Sequence, residues 1–203
     1  MSSIIYMDEK LALLITVFVL SLVFGSHSLL YGDFLTYALI TIIASIAVIP
    51  HELAHRWSAR KMGCYSRYVL SPFGLLLTLI TAIPFIPFKI IMPGFTLVTP
   101  RTYDPYYLKR VMGITSYMGP LTNILFSVAS LALLTVFLKI GYLNPLLYVF
   151  LLLSTRLNAW VAFFNLLPVP PLDGSKIITW NTPLWIATFL LAIGLYIVST
   201  FLL

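Results

Sequence analysis

The chain has 203 residues, of which 61% are hydrophobic and 9% charged, and its mean hydropathy is +1.03. Water-soluble domains are about 25% charged and about 45–50% apolar, so the composition excludes a soluble enzyme and assigns the chain to the bilayer. Twelve Lys and Arg against six Asp and Glu give a net charge of +6. The basic residues lie beside hydrophobic spans and form no soluble basic fold, which argues against a nucleic-acid partner and for topological charge on a cytoplasmic face. One cysteine, Cys64, leaves no intramolecular disulfide to form.

Charged residues are so sparse that the gaps between them mark the spans. Residues 11–32, 111–138 and 177–203 carry no charge over 22, 28 and 27 positions. About 20 apolar residues cross the hydrocarbon core as a helix, so each gap holds a crossing, and one secretory signal cannot account for three. The expected spans are residues 11–31, 34–59, 111–138, 144–167 and 183–203. Gly32-Asp33 turns the chain between the first two, and Gly141 with Asn144-Pro145 makes another turn. The polar stretch 99–110 reads as a loop.

Residues 68–88 are uncharged over 21 positions but contain Pro72, Pro84 and Pro87 and precede Lys89. A crossing there would divide the basic residues between two faces. A segment that dips in and returns leaves ten of the twelve on one face, with Lys139 opposite and Arg156 inside a span, which favours a re-entrant or interfacial segment. Beyond it, Ile90-Ile91-Met92 and Phe95-Thr96-Leu97-Val98 flank Pro93-Gly94 and predict a short β-hairpin. An exposed strand edge beside a membrane needs a partner, and the expected partner is substrate held as an extended strand. The fold class is an all-α polytopic membrane protein with about five to six transmembrane helices. A small β-hairpin or re-entrant segment lies between its second and third spans, and residues 1–203 form one integral membrane domain.

Of the six acids, Asp8, Glu9 and Asp33 belong to the amino-terminal tail and first turn, and Asp104 to the polar loop. Glu52 and Asp173 alone lie in or against hydrophobic sequence, where a carboxylate is costly enough to imply function. Glu52 belongs to His51-Glu52-Leu53-Ala54-His55 near the end of the second span. Residues four apart share a helix face, so both imidazoles can bind one Zn²⁺ while Glu52 reaches a water on it. Without a metal, Glu52 would be a buried carboxylate with Arg56 as its sole cationic candidate. A catalytic zinc also needs a third protein ligand. Asp173 follows Pro168-Val169-Pro170-Pro171-Leu172, which cannot continue a helix, so the backbone unwinds and can aim its carboxylate at a metal. Five crossings bring the ends of the second and fourth spans to the same face.

At these residues the chain resembles the site-two protease family of intramembrane zinc metalloproteases. The likeness rests on His51-Glu52-x-x-His55, on Asn165-x-x-Pro168-x-Pro170-x-Leu172-Asp173-Gly174, and on Gly119-Pro120-x-x-Asn123 at the third span. The family core would cover about residues 34–175, with the first and last spans flanking it, where they could gate substrate entry. The resemblance implies cleavage of a single-span membrane-protein substrate within the bilayer, near the cytoplasmic side, with a cytoplasmic amino terminus. It implies one Zn²⁺ per chain held by His51, His55 and Asp173, with Glu52 as general base. No PDZ-type insertion interrupts the sequence.

Asn123 and Asn165 are candidate donors to the oxyanion or to substrate backbone, with helix-to-helix hydrogen bonding the alternative. Arg156 reads as a snorkelling or tilted-helix residue, His27 as interfacial and Cys64 as an ordinary thiol. Two other functions use the same ligands. A membrane zinc peptidase acting on peptides at the membrane face would need a polar chamber that this composition can hardly line. A non-catalytic zinc carrier or channel has little use for Glu52 beside the first ligand.

Overall fold

A computed structural model of the protein describes residues 4–102, 104–142 and 144–202, of Leu202 the backbone only. Leu203, where the last expected span ends, lies outside the described residues. The chain separates into two compact units, Met1–Arg101 and Thr102–Leu203.

In the first unit, Asp8 caps helix α1 (Glu9–Leu30) by accepting from the amides of Lys10 and Leu11 at 3.0 and 3.2 Å. Gly32, at φ 71°, turns the chain, and Asp33 caps α2 (Phe34–Lys61) through the Thr36 amide at 3.0 Å. The short turn makes the two helices antiparallel neighbours, and Ser21 and Tyr37 share a hydrogen bond of 3.0 Å across them. Strand β1 (Tyr65–Leu70) follows, then helix α3 (Pro72–Thr81) and strand β2 (Gly94–Thr99), which pairs antiparallel with β1. Ten helical residues rise about 15 Å, half of a hydrocarbon core, so α3 cannot cross.

The small sheet thus lies between the second and third spans, but it is not the hairpin expected within residues 90–98. The first of those runs, Ile90-Ile91-Met92, is laced to α3. The Ile90 amide donates to Thr81 Oγ1 at 3.2 Å and the Met92 amide to Thr78 Oγ1 at 3.1 Å. These side-chain acceptors leave the run no ladder to join, and β2 finds its partner in Tyr65–Leu70 instead. Gly94 opens β2 because a Cβ there would meet the Val69 carbonyl and the Tyr68 ring.

The register runs from Tyr65↔Thr99 to Leu70↔Gly94, and the Ser71 amide extends it by donating to the Pro93 carbonyl at 3.0 Å. Bonded and non-bonded pairs alternate in an antiparallel ladder. Val69↔Phe95 and Arg67↔Leu97 therefore exchange ladder bonds, whereas Leu70↔Gly94, Tyr68↔Thr96 and Ser66↔Val98 turn their backbone groups outward. On β1 those groups are occupied. The Leu70 carbonyl accepts from the Ile5 amide at 3.1 Å, the Tyr68 amide donates to Glu9 Oε1 at 3.1 Å, and the Ser66 carbonyl accepts from Arg60 at 3.3 Å. On β2 the outward set is Gly94, Thr96 and Val98, and no strand among the described residues pairs with it.

In the second unit, Asp104 caps α4 (Pro105–Ile140) through the Tyr107 amide at 2.7 Å, so the polar stretch 99–110 is not a loop throughout but helix from Pro105 onward. Asp104 followed by Pro105 is a helix start that polarity alone conceals. Gly141 ends α4 at φ 67°, and Asn144 caps α5 (Pro145–Asn165). Helices α4 and α5 meet along small polar residues: Asn123 donates to Asn158 Oδ1 at 3.0 Å, Ser127 to the Thr155 carbonyl at 2.9 Å, and Ser130 pairs with Ser154 at 2.9 Å. Such residues let helices approach closely in lipid. Helices α6 (Asp173–Trp180) and α7 (Thr182–Ile197) complete the unit, and a π-helical turn, Val198–Leu202, ends it. Its core joins Ile124, Ala159, Ala162, Leu166, Ile177 and Ala192.

Five described helices are long and apolar enough to cross a membrane: α1, α2, α4, α5 and Thr182–Phe201. The protein is a polytopic, all-α integral membrane protein with one small two-stranded sheet.

Candidate metal centre

The His51-Glu52-x-x-His55 motif occupies the last part of α2, where the 3.6-residue period stacks His51 above His55. Pro50 precedes it inside the helix and supplies no amide to the Ile46 carbonyl. Both histidines are buried, at 3% and 5% exposure. Their Nε2 atoms lie 3.0 Å apart, and the rings stand edge to face at 86°. One ligand atom each from His51, Glu52 and His55 falls within 4.8 Å of the others. Zn–N bonds of about 2.0–2.1 Å in tetrahedral geometry set two imidazole nitrogens about 3.4 Å apart. The donor set, its burial and its spacing therefore fit a zinc ion.

Glu52 is held from the sheet. Thr96 Oγ1 donates to Glu52 Oε2 at 2.7 Å. Tyr68, the cross-strand neighbour of Thr96, is 2% exposed, and its phenol shares a hydrogen bond of 2.8 Å with Thr16 on α1. Burial pushes the Tyr68 phenol well above its ordinary value, and the Glu52 carboxylate adds to the rise, while the Thr16 bond opposes it.

Arg56, the sole cationic candidate for Glu52 in the sequence, pairs with Glu9 at 3.0 Å. Glu9, assigned by sequence to the tail, thus ties α1 to the metal-binding helix and to β1 together. Arg67 also donates to the Met7 carbonyl. Nothing local in the sequence marks Thr96, Tyr68, Thr16 or Glu9, because each reaches the site through a partner at least 44 residues away.

Asp173, Asn123 and Asn165 belong to the second unit. Asp173 is the first residue of α6, with its carboxylate 3.8 Å from Lys176 Nζ. Gly174 follows it because a Cβ there would meet the carbonyls of Leu166 and Leu167, so α6 begins tight against the end of α5. Asn123 is fully buried and donates to Asn158, and Asn165 donates to the Val161 carbonyl at 3.0 Å. Arg156 donates through Nε and Nη2 to the Ser199 carbonyl, at 3.2 and 2.7 Å. The His27 ring packs at a tilt of 45° against Tyr31, and Cys64 is a buried thiol.

No family model matches the chain, and no solved structure does. Two curated proteins do. The chain is 35% identical over 163 residues to a protein of Methanocaldococcus jannaschii named "Putative zinc metalloprotease MJ0611", a match covering 77% of this chain and 79% of that one. It is 32% identical over 155 residues to "Putative zinc metalloprotease YwhC" of Bacillus subtilis, covering 70% of this chain and 67% of that one. With the shared length, the His51-Glu52-His55 cluster and the membrane helices, the chain belongs to the zinc metalloprotease family that these two proteins represent.

Proposed function

We propose that the protein is an intramembrane zinc metalloprotease of the site-two type, which hydrolyses a peptide bond within or near a transmembrane helix of a single-span substrate. The observation that carries this reading is a pair of buried histidines, His51 and His55, with the partly buried Glu52 beside them, built into a helix long and apolar enough to cross a membrane. Soluble peptides would have no reason to find their catalyst there. His51, His55 and Asp173 are the proposed ligands of one Zn²⁺. When bound, zinc supplies Lewis acidity toward the scissile carbonyl and toward an attacking water.

Glu52 takes the proton from the attacking water and passes it to the leaving amine. Its Oε2 is engaged by Thr96, which leaves Oε1 for that exchange. Asn123 and Asn165, whose side-chain amides donate to Asn158 and to the Val161 carbonyl, are the proposed donors to the oxyanion or to substrate backbone. Arg56, Arg60, Lys61 and Arg67 cluster where the metal-binding helix ends, which supports a cytoplasmic position for the site and, by the threading, for the amino terminus.

A membrane helix hides its carbonyls in intrahelical hydrogen bonds, so cleavage requires local unwinding and new partners for the freed groups. The outward backbone groups of Gly94, Thr96 and Val98 supply a strand edge for that purpose. Substrates should tolerate broad sequence variation yet favour Gly, Pro or Asn in the span, Gly and Pro lowering the unwinding cost by about 1 and about 3 kcal/mol relative to Ala. The test is incubation of the detergent-purified protein with single-span substrates, with and without a zinc chelator, and mass spectrometry of the products. Chelator-sensitive cuts inside the span are expected. Cuts confined to soluble peptides would reject the reading.

A further inference from the structure

We infer that Thr96 is a positioning residue for the general base: its hydroxyl fixes the Glu52 carboxylate from the edge strand of the sheet. The inference rests on the proposed role of Glu52 and goes beyond it, since Thr96 lies outside the His51-Glu52-x-x-His55 motif.

Three observations carry it. Thr96 Oγ1 donates to Glu52 Oε2 at 2.7 Å, within the range of a charge-assisted bond. The contact spans 44 residues and joins a strand to the metal-binding helix, so no local turn explains it. The hydroxyl is itself held in place. Thr96 stands opposite Tyr68 in the ladder, Tyr68 is locked by Thr16 and by the Glu9 carboxylate on its amide, and Gly94 lets the strand approach the Tyr68 ring.

A glutamate has three side-chain torsions, and in an enzyme only the rotamer that aims one oxygen at the reacting water is productive. Pinning Oε2 removes the others. The same residue turns its own amide and carbonyl to the open edge of β2. A substrate strand paired there is therefore registered by the backbone of the residue whose side chain aims the base.

The experiment compares Thr96→Val, which keeps the shape and removes the hydroxyl, with Thr96→Ser, which keeps the hydroxyl. In the zinc-loaded enzyme, Thr96→Val should lower kcat by about tenfold or more, the expected loss for one hydrogen bond to a charged group, with KM and zinc content unchanged. Thr96→Ser should stay near wild type. Wild-type kcat in Thr96→Val overturns the inference, as does an equal loss in Thr96→Ser or a matching loss of zinc.

A second readout needs no turnover. In metal-free protein, Thr96→Val should lower the unfolding temperature in the wild-type background and leave it unchanged in Glu52→Ala. Equal shifts in both backgrounds mean that the bond is absent and overturn the inference. A wild-type enzyme without chelator-sensitive cleavage would instead sink the proposed function, while the metal-free comparison still decides the contact.

Discussion

Glu9 divides its carboxylate between two elements of the site: Oε2 pairs with Arg56 at 3.0 Å, one residue beyond the second histidine, and Oε1 accepts the Tyr68 amide at 3.1 Å. One side chain at the start of α1 therefore sets the metal-binding helix and the sheet at a fixed distance.

The pair is partly exposed, with side chains at 29% and 22%, so screening reduces its Coulombic worth, but the amide bond is a second loss. Glu9→Ala should destabilise the protein by about 1–3 kcal/mol, read as a lower unfolding temperature in detergent. Glu9→Gln keeps an acceptor for Tyr68 and should lose less. Equal losses would show that the ion pair dominates.

Glu52→Gln should reduce turnover by about 100- to 10,000-fold while the protein keeps its zinc, because Glu52 acts on protons and is not a proposed ligand. His55→Ala should lose metal and activity together. Metal analysis of the purified, folded variants separates the two roles. Stoichiometric zinc loss in Glu52→Gln would contradict the assignment.

The strand edge is open to a positional test. The register turns the amide of Val98 outward and places that of Leu97 in the β1–β2 ladder. Val98→Pro should raise KM for membrane substrates with zinc content intact. Leu97→Pro should instead break the β1–β2 ladder and lower stability by about 1–3 kcal/mol. Unchanged KM in Val98→Pro for every substrate would remove the strand edge from the mechanism.

Cysteines placed at Arg60 and Arg101 in a Cys64→Ala background should label from the same, cytoplasmic side of sealed vesicles. Helix α3 is too short to separate them across a bilayer. Labelling from opposite sides would require a sixth crossing.

Sequence by itself determined the spans and the metal motif because both are local signals. A run of apolar residues long enough to cross hydrocarbon must be helical, since lipid offers its backbone no partner, and His51 and His55 share a face by the helical period alone. The caps Asp33 and Asn144 act within three residues, and both start helices. Tertiary structure alone decided the sheet. Residues 90–92 have strand composition, yet the amides of Ile90 and Met92 are spent on Thr81 and Thr78, while β2 pairs with Tyr65–Leu70 across more than twenty intervening residues. Strand propensity reports a side chain's fit to a pleated surface and does not select the strand that supplies it. The same holds for the environment of Glu52, where Thr96, Tyr68 and Thr16 meet because two helices and a sheet bring them together, and for Glu9, whose two partners no spacing rule connects.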